Sequence, residues 1–316
     1  MPTPPDWSQA LREFVEGWGK AGEGGGDEYI GDRPFTKFVL AEPAESWRQF
    51  LEWLNELKGS WCFRGQRDAR WVLNTSLDRA VRRDVSAPNV RGYYHLEREP
   101  ESRELLFRFQ QQAHQYIGGL PASDDWGSWF ALMQHHGVPT RFLDWTKSSY
   151  VALYFAFEEE PPEEGCALWA IDLGWLEERA RKLLPPATSG WGDFRERAEY
   201  VNGLLLGNAQ EVVILPVSPL QLDARMVAQQ GFFLCKLSHE VHFSLVLMRM
   251  MMHPMRSEKP DLPDRPVVRK LVLKKSLRIE FLKNLREVNI HRASLFPGLD
   301  GFGQSLRLDL EMKVKA

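Results

Sequence analysis

The chain has 316 residues, 43% hydrophobic and 26% charged, with a formal net charge of −3. That is ordinary globular composition, long enough to bury a substantial core, and it lacks the marked basic excess that broad coating of nucleic acid requires. Cys62, Cys166 and Cys235 are odd in number and widely spaced, which argues against a disulfide scaffold or a cysteine-based zinc site and for buried thiols in a reducing compartment. The N-terminus has no basic start followed by an apolar run, and no stretch approaches the ~18 apolar residues that span a bilayer. A cytoplasmic protein with no membrane partner is expected.

In chain order, Trp7, Leu11, Phe14 and Val15 are spaced for a short helix within residues 1–19, and the glycine-rich segment 21–32 reads as a flexible link. That link has no phosphate-loop pattern, and its acidic residues would repel phosphate. Residues 35–42 suggest a strand. Residues 46–57 form an amphipathic helix with Ser46 as N-cap and Trp47, Phe50, Leu51, Leu54 and Leu57 on one face. Residues 60–65 are a short aromatic strand. Helices follow at 97–118, 126–136 and 148–159, the last apolar and capped by Ser148 or Ser149. Residues 167–173, 211–217 and 231–237 are strand-length apolar runs, and 269–275 alternates as a half-buried strand does. The methionine-rich run at 241–252 contains His242 and Arg249 and reads as a core helix, and 276–290 closes the pattern as an amphipathic helix. Short, irregularly spaced strands between long helices indicate an α+β fold, with the strands near 60, 167, 211 and 231 in one central sheet.

Three segments carry candidate chemistry. In Phe63-Arg64-Gly65-Gln66, an arginine at a strand end followed by glycine suits a phosphate or carboxylate in a cleft, or an internal salt bridge. The run from His135 to Thr146 includes Thr140, Arg141, Asp144 and Trp145 and ends before a capped helix, where free N–H groups favour an anion; Asp144 and Thr146 are equally plausible as helix caps. Adjacent His135 and His136 diverge by about 100° on a helix and do not share a metal readily, so no metal site is expected. The third segment, Arg225 to Phe233, brings Gln229 and Gln230 to a strand start, as ligand groups or as structural stitching. Glu211 begins a strand after Asn208 and Gln210, where a carboxylate reaches a cleft or lies on the surface.

Together these segments resemble the bacterial FRG-domain family. Phe63-Arg64-Gly65 matches its name-giving motif. Residues 135–157 resemble its longest motif, with His136 where an aromatic is common. Arg225, Gln229, Gly231 and Phe233 fit a later element, and residues 295–301 fit its usual ending. The resemblance implies an N-terminal helical arm and glycine-rich linker at 1–32 and an FRG domain with a C-terminal extension at 33–316.

The family's motif order is similar to that of ADP-ribosyltransferases. That similarity implies a split, mostly antiparallel central sheet flanked by helices and an enzyme that cleaves the nicotinamide–ribose bond of NAD. ADP-ribose would pass to an unknown acceptor, a protein or nucleic acid, in a setting of bacterial conflict or phage defence. Arg64, with Gly65, would hold an NAD phosphate. Thr140, Asp144, Thr146 and Ser148, with His135, Arg141 and Trp145, would shape the nicotinamide pocket. Glu211 would stabilise the oxocarbenium-like transition state, or Gln229 or Gln230 would take that corner, since position 209 is alanine and no Ser-Thr-Ser run is present. Arg64, Thr140, Asp144, Thr146 and Gln229 are expected to line one cleft, with a buried Asp144 facing Arg64. The competing expectation is a non-catalytic nucleotide-sensing or nucleic-acid-binding module using the same pocket.

Overall fold

The computed structural model describes residues 39, 41–82, 99–184, 194–206, 213–219, 223–237, 243–252 and 265–314. The expected arm at 1–32, most of the strand expected at 35–42, and residues 207–212 with Glu211 lie outside them. The described strands are β1 (Ala41–Ala44), β2 (Trp61–Gln66), β3 (Phe142–Thr146), β4 (Cys166–Asp172), β5 (Ile214–Val217), β6 (Gly231–Lys236) and β7 (Val268–Leu273). They form one mixed sheet in the order β1-β7-β4-β2-β3-β6-β5. The β1–β7 pair is parallel and the other described pairs are antiparallel.

The described helices are α1 (Trp47–Glu56), α2 (Ser76–Arg82), α3 (Glu99–Ala113), α4 (Trp126–His135), α5 (Ser149–Phe157), α6 (Leu173–Leu183), α7 (Phe194–Leu205), α8 (Ala224–Ala228), α9 (Phe243–Met252), α10 (Arg278–Glu287), α11 (Arg292–Leu295) and α12 (Leu299–Val314). They cover both sheet faces, which is why the central strands read as continuous apolar runs. On β4 the alternation is plain: Cys166, Leu168 and Ala170 join the core shared with α1, α5 and α10, while Ala167, Trp169 and Ile171 join the core shared with α4, α6 and α9. Met248, Met250 and Met251 are buried packing in α9, and the three cysteines are buried and free, with burial pushing their thiol pKa values up.

Local signals set the helix starts. Ser46 Oγ accepts from the Gln49 amide at 3.2 Å, Asp125 caps α4 through the Ser128 amide at 3.1 Å, and Ser148 caps α5 through the Val151 amide at 3.3 Å. Two elements depart from the periodicity. Residues 142–146, expected as part of a strand-to-helix junction, are the full strand β3, made so by pairing with β6 from Phe142↔Cys235 to Thr146↔Gly231. Helix α12 is inverted: Gly301, Ser305 and Met312 are buried, while Leu299, Phe302, Leu306 and Leu310 are exposed.

Lys270 on β7 supplies a pH-dependent test of this packing. Its ammonium lies 4.6 Å from the Trp169 ring centroid and donates to the Ala69 carbonyl at 2.6 Å. Burial lowers its pKa from 10.5 to about 8, against the opposing charge of Asp68. Between those values the unfolded chain binds more protons at this site than the folded one, so its contribution to stability rises with pH. The stability of wild type relative to Lys270→Met is therefore expected to increase from pH 8 to pH 10 in paired chemical denaturations. A pH-independent difference would contradict the lowered pKa.

Candidate functional site in the cleft between β2 and β3

β2 and β3 share one register pair, Phe63↔Thr146. On the Gln66 side of that pair the strands no longer bond, and residues from both of them line a cleft of about 1520 Å³. This exceeds the ~300–1,000 Å³ of an ordinary small-molecule pocket. Arg64 spans the gap. Its Nη1 donates to the Asp144 carbonyl oxygen at 2.7 Å, a side-chain bond to β3 where the β2–β3 ladder has ended.

The Arg64 guanidinium is largely covered, with its side chain 20% exposed. Burial lowers its pKa, Arg79 lowers it further, and Asp144 opposes the shift; it remains a cation at neutral pH. The Asp144 carboxylate is 3.7 Å from Nη1 but 64% exposed, so the expected buried ion pair is instead a solvent-screened one of small energy. Asp144 is exposed because it points away from the sheet's core, between Leu143 and Trp145, which are buried. Its Oδ2 accepts from Gln134 Nε2 at 3.0 Å.

The cleft gathers Arg64, Gly65, His135, Asp144, Trp145, Thr146 and Gln229. Thr146 Oγ1 donates to the Gln229 carbonyl at 2.7 Å and accepts from the Ser148 amide at 3.0 Å, tying the end of β3 to the turn before β6. Gln229 Nε2 donates to the Leu295 carbonyl at 3.0 Å, and Arg225 stacks on Phe296 at 4.5 Å, so the last motif braces the third. His135 Nδ1 lies 3.3 Å from Asp223 Oδ2 across the rim. Gly65 does more than admit a ligand: a β-carbon there would lie 2.6 Å from the Ala156 amide nitrogen and closer still to the Ala152 carbonyl, so the glycine seats α5 on β2.

Four expected site residues, Thr140, Arg141, Ser148 and Gln230, do not line the cleft. Thr140 is fully buried, and its hydroxyl bonds to Gln134 Oε1. Arg141 is 3% exposed and donates to the backbone carbonyls of Leu237 and Leu205, stitching β3 to its neighbours. Ser148 is the α5 cap. Gln230 is a turn residue with φ 48° whose carbonyl accepts from the Lys147 amide at 3.1 Å. Glu211 lies outside the described residues. The cleft also contains groups absent from the expected set: Gln134, which orients Asp144, and a wall formed by Arg67, Arg70, Trp71 and Arg79. The arginine- and tryptophan-rich run directly after the Phe-Arg-Gly motif was the sequence signal for that wall.

Among the described residues no three His, Cys, Asp or Glu side chains converge as a metal site. No described helix is long and apolar enough to cross a membrane. No curated protein and no solved structure matches the chain. Residues 59–165 match the FRG domain. That span runs from the approach to β2 through α5 and contains Arg64 and all of β3, whereas Gln229 lies beyond it. Residues 59–165 are therefore similar to the FRG domain, and this segment supplies the Arg64–Asp144 side of the cleft.

Proposed function

We propose that the cleft binds NAD and that the chain cleaves its nicotinamide–ribose bond, transferring ADP-ribose to a protein or nucleic-acid acceptor. The observation that carries this reading is the parting of β2 and β3 after a single register pair, with the Arg64 guanidinium lying across the opening. The motif order is similar to that of ADP-ribosyltransferases. An arginine precedes a glycine on β2, a threonine on β3 leads into the Ala/Phe-rich α5, and β6 lies beside β3. Two buried donors on cleft residues, Arg64 Nε and Trp145 Nε1, have no hydrogen-bond partner among the described residues; a ligand rich in oxygen acceptors would account for such groups.

In this reading Arg64 holds the diphosphate, while Thr146 and Asp144 border the nicotinamide ribose. The bond from the ribose anomeric carbon to the nicotinamide nitrogen breaks with its electron pair leaving on nicotinamide. The acceptor's nucleophile then bonds to that carbon and loses its proton. Positive charge on the ribose calls for a carboxylate. Glu211, which precedes β5, is the candidate in the expected order, and Gln229 at the head of β6 is the rival. Such an activity suits an effector in bacterial conflict or phage defence.

A non-catalytic nucleotide-sensing module is the second reading. It is favoured by Gln229, whose amide carries no charge to offset a cationic transition state. Calorimetric titration of NAD, paired with a nicotinamide-release assay, separates the two. Glu211→Gln is expected to reduce release while preserving NAD affinity, because the lost interaction is made mainly in the transition state. If Gln229 holds the corner, Glu211→Gln is silent and Gln229→Ala abolishes release. Binding without release by the wild-type chain supports the sensor, and no NAD binding at millimolar concentration removes both NAD readings.

A further inference from the structure

The wall of the cleft that follows β2 carries an unusual grouping. Trp71 is 47% exposed although it lines the cavity. A large aromatic ring left open to water inside a concave site forgoes the burial that stabilises such rings elsewhere in this chain. Its surroundings hold it in place. The Trp71 amide donates to the Asp68 carbonyl at 3.1 Å, and the Arg67 guanidinium lies 5.6 Å from the ring centroid. Arg67 is in turn anchored by Glu159 at 2.6 Å, and Arg70 by Asp68 at 2.7 Å and Glu164 at 2.8 Å. These two arginines have their charges answered by neighbouring carboxylates and act as braces.

Arg79 differs. Its Nη1 donates to the Asn74 carbonyl at 2.7 Å, and it has no ion pair among the described residues. It is close enough to Arg64 to oppose that residue's charge. Arg64 has only a 3.7 Å contact with the exposed Asp144 carboxylate, so the Arg64–Arg79 side of the cleft carries positive potential that an anion would relieve. The same wall thus presents an open, braced indole and a pair of under-neutralised guanidinia, the complement of a nucleobase joined to phosphate.

We infer that Trp71 is the stacking platform for the adenine of an adenine nucleotide whose phosphates lie against Arg79 and Arg64. The inference rests on the cleft being the nucleotide site proposed above, and it assigns the adenine end to the 67–79 wall and the nicotinamide end to Thr146 and Gln229. An extended indole offers a purine more overlap than a pyrimidine, so AMP should bind more tightly than CMP.

The test titrates AMP, ADP, CMP, NAD and nicotinamide mononucleotide into wild type, Trp71→Phe, Trp71→Ala and Arg79→Gln, each checked by thermal melting. Trp71→Ala is expected to weaken AMP, ADP and NAD by roughly tenfold to a hundredfold, the range typical of base–aromatic stacking. Trp71→Phe should retain most of the affinity, and nicotinamide mononucleotide should bind all the tryptophan variants alike. Arg79→Gln should weaken ADP more than AMP. Unchanged AMP affinity in a folded Trp71→Ala protein overturns the assignment, as does absence of AMP and ADP binding to wild type at millimolar concentration. The two proposals fail separately. Trp71-dependent AMP binding without nicotinamide release sinks the catalytic reading alone, and nicotinamide release indifferent to Trp71→Ala sinks the adenine platform alone.

Discussion

Gly65→Ala is expected to destabilise the protein by more than about 3 kcal/mol, at or beyond the upper end of the usual range for overpacking a core. The cause is local and backbone-based. Gly65 is the last residue but one of β2, and α5 crosses it so closely that an added methyl would meet the Ala152 carbonyl and lie 2.6 Å from the Ala156 amide nitrogen. Neither obstacle is a side chain that can rotate away. α5 cannot retreat cheaply, because Val151, Ala152, Leu153 and Ala156 are all buried and the helix is packed on its other side against Phe281 and Leu282 of α10. Relief would require shifting β2, and with it the Arg64 guanidinium. Chemical denaturation of Gly65→Ala beside wild type measures the effect. A variant as stable as wild type would show that α5 is not seated on Gly65.

Asp78→Ala is expected to cost about 3–5 kcal/mol, the usual penalty for removing one member of a buried ion pair. Asp78 Oδ1 lies 2.5 Å from Lys236 Nζ, with the two side chains 1% and 2% exposed. The other carboxylate oxygen accepts from the Thr75 amide at 3.0 Å, and the Asp78 amide donates to Thr75 Oγ1 at 3.1 Å. This reciprocal pair opens α2, so the carboxylate ties the helix bearing Arg79 to the end of β6. Replacement by alanine removes the anion facing a buried ammonium and loosens the cleft wall at once. Paired replacement, Asp78→Leu with Lys236→Met, is expected to recover much of the loss, since apolar residues of similar volume commonly substitute for buried ion pairs. Denaturation of the single and paired variants tests this. Equal losses in both would assign the effect to the Thr75 bonds rather than to the ion pair.

Sequence reasoning reached the elements whose signals are local. Ser46 and Ser148 cap their helices as their positions before apolar runs imply, because a cap bonds to an amide only a few residues away. The strands near 61, 167, 214 and 231 were legible as apolar runs, and they share the sheet, because strands buried on both faces need no polar positions. Of Arg64, Thr140, Asp144, Thr146 and Gln229, expected together from their motif context, all but Thr140 line one cleft.

What the sequence could not determine is what depends on how the elements pack. Thr140 and Arg141 lie in the same motif as Thr146, yet they precede β3 and bond to Gln134 and to the carbonyls of Leu205 and Leu237 instead of lining the cleft. Asp144 is exposed because it borders the gap between β2 and β3, on the side opposite the buried Leu143 and Trp145. Helix α12 turns Gly301 and Ser305 inward, with Gly301 too close to Phe296 to carry a β-carbon, while Leu299, Phe302, Leu306 and Leu310 point away from the core it joins. The cleft itself arises from β2 and β3 ceasing to pair after Phe63↔Thr146. Residue type and spacing therefore determined the caps, the buried strands and part of the cleft lining. Only the tertiary structure decided which polar groups face the cavity, because a side chain's exposure is set by the strand or helix packed against it, and residue type and spacing do not specify that neighbour.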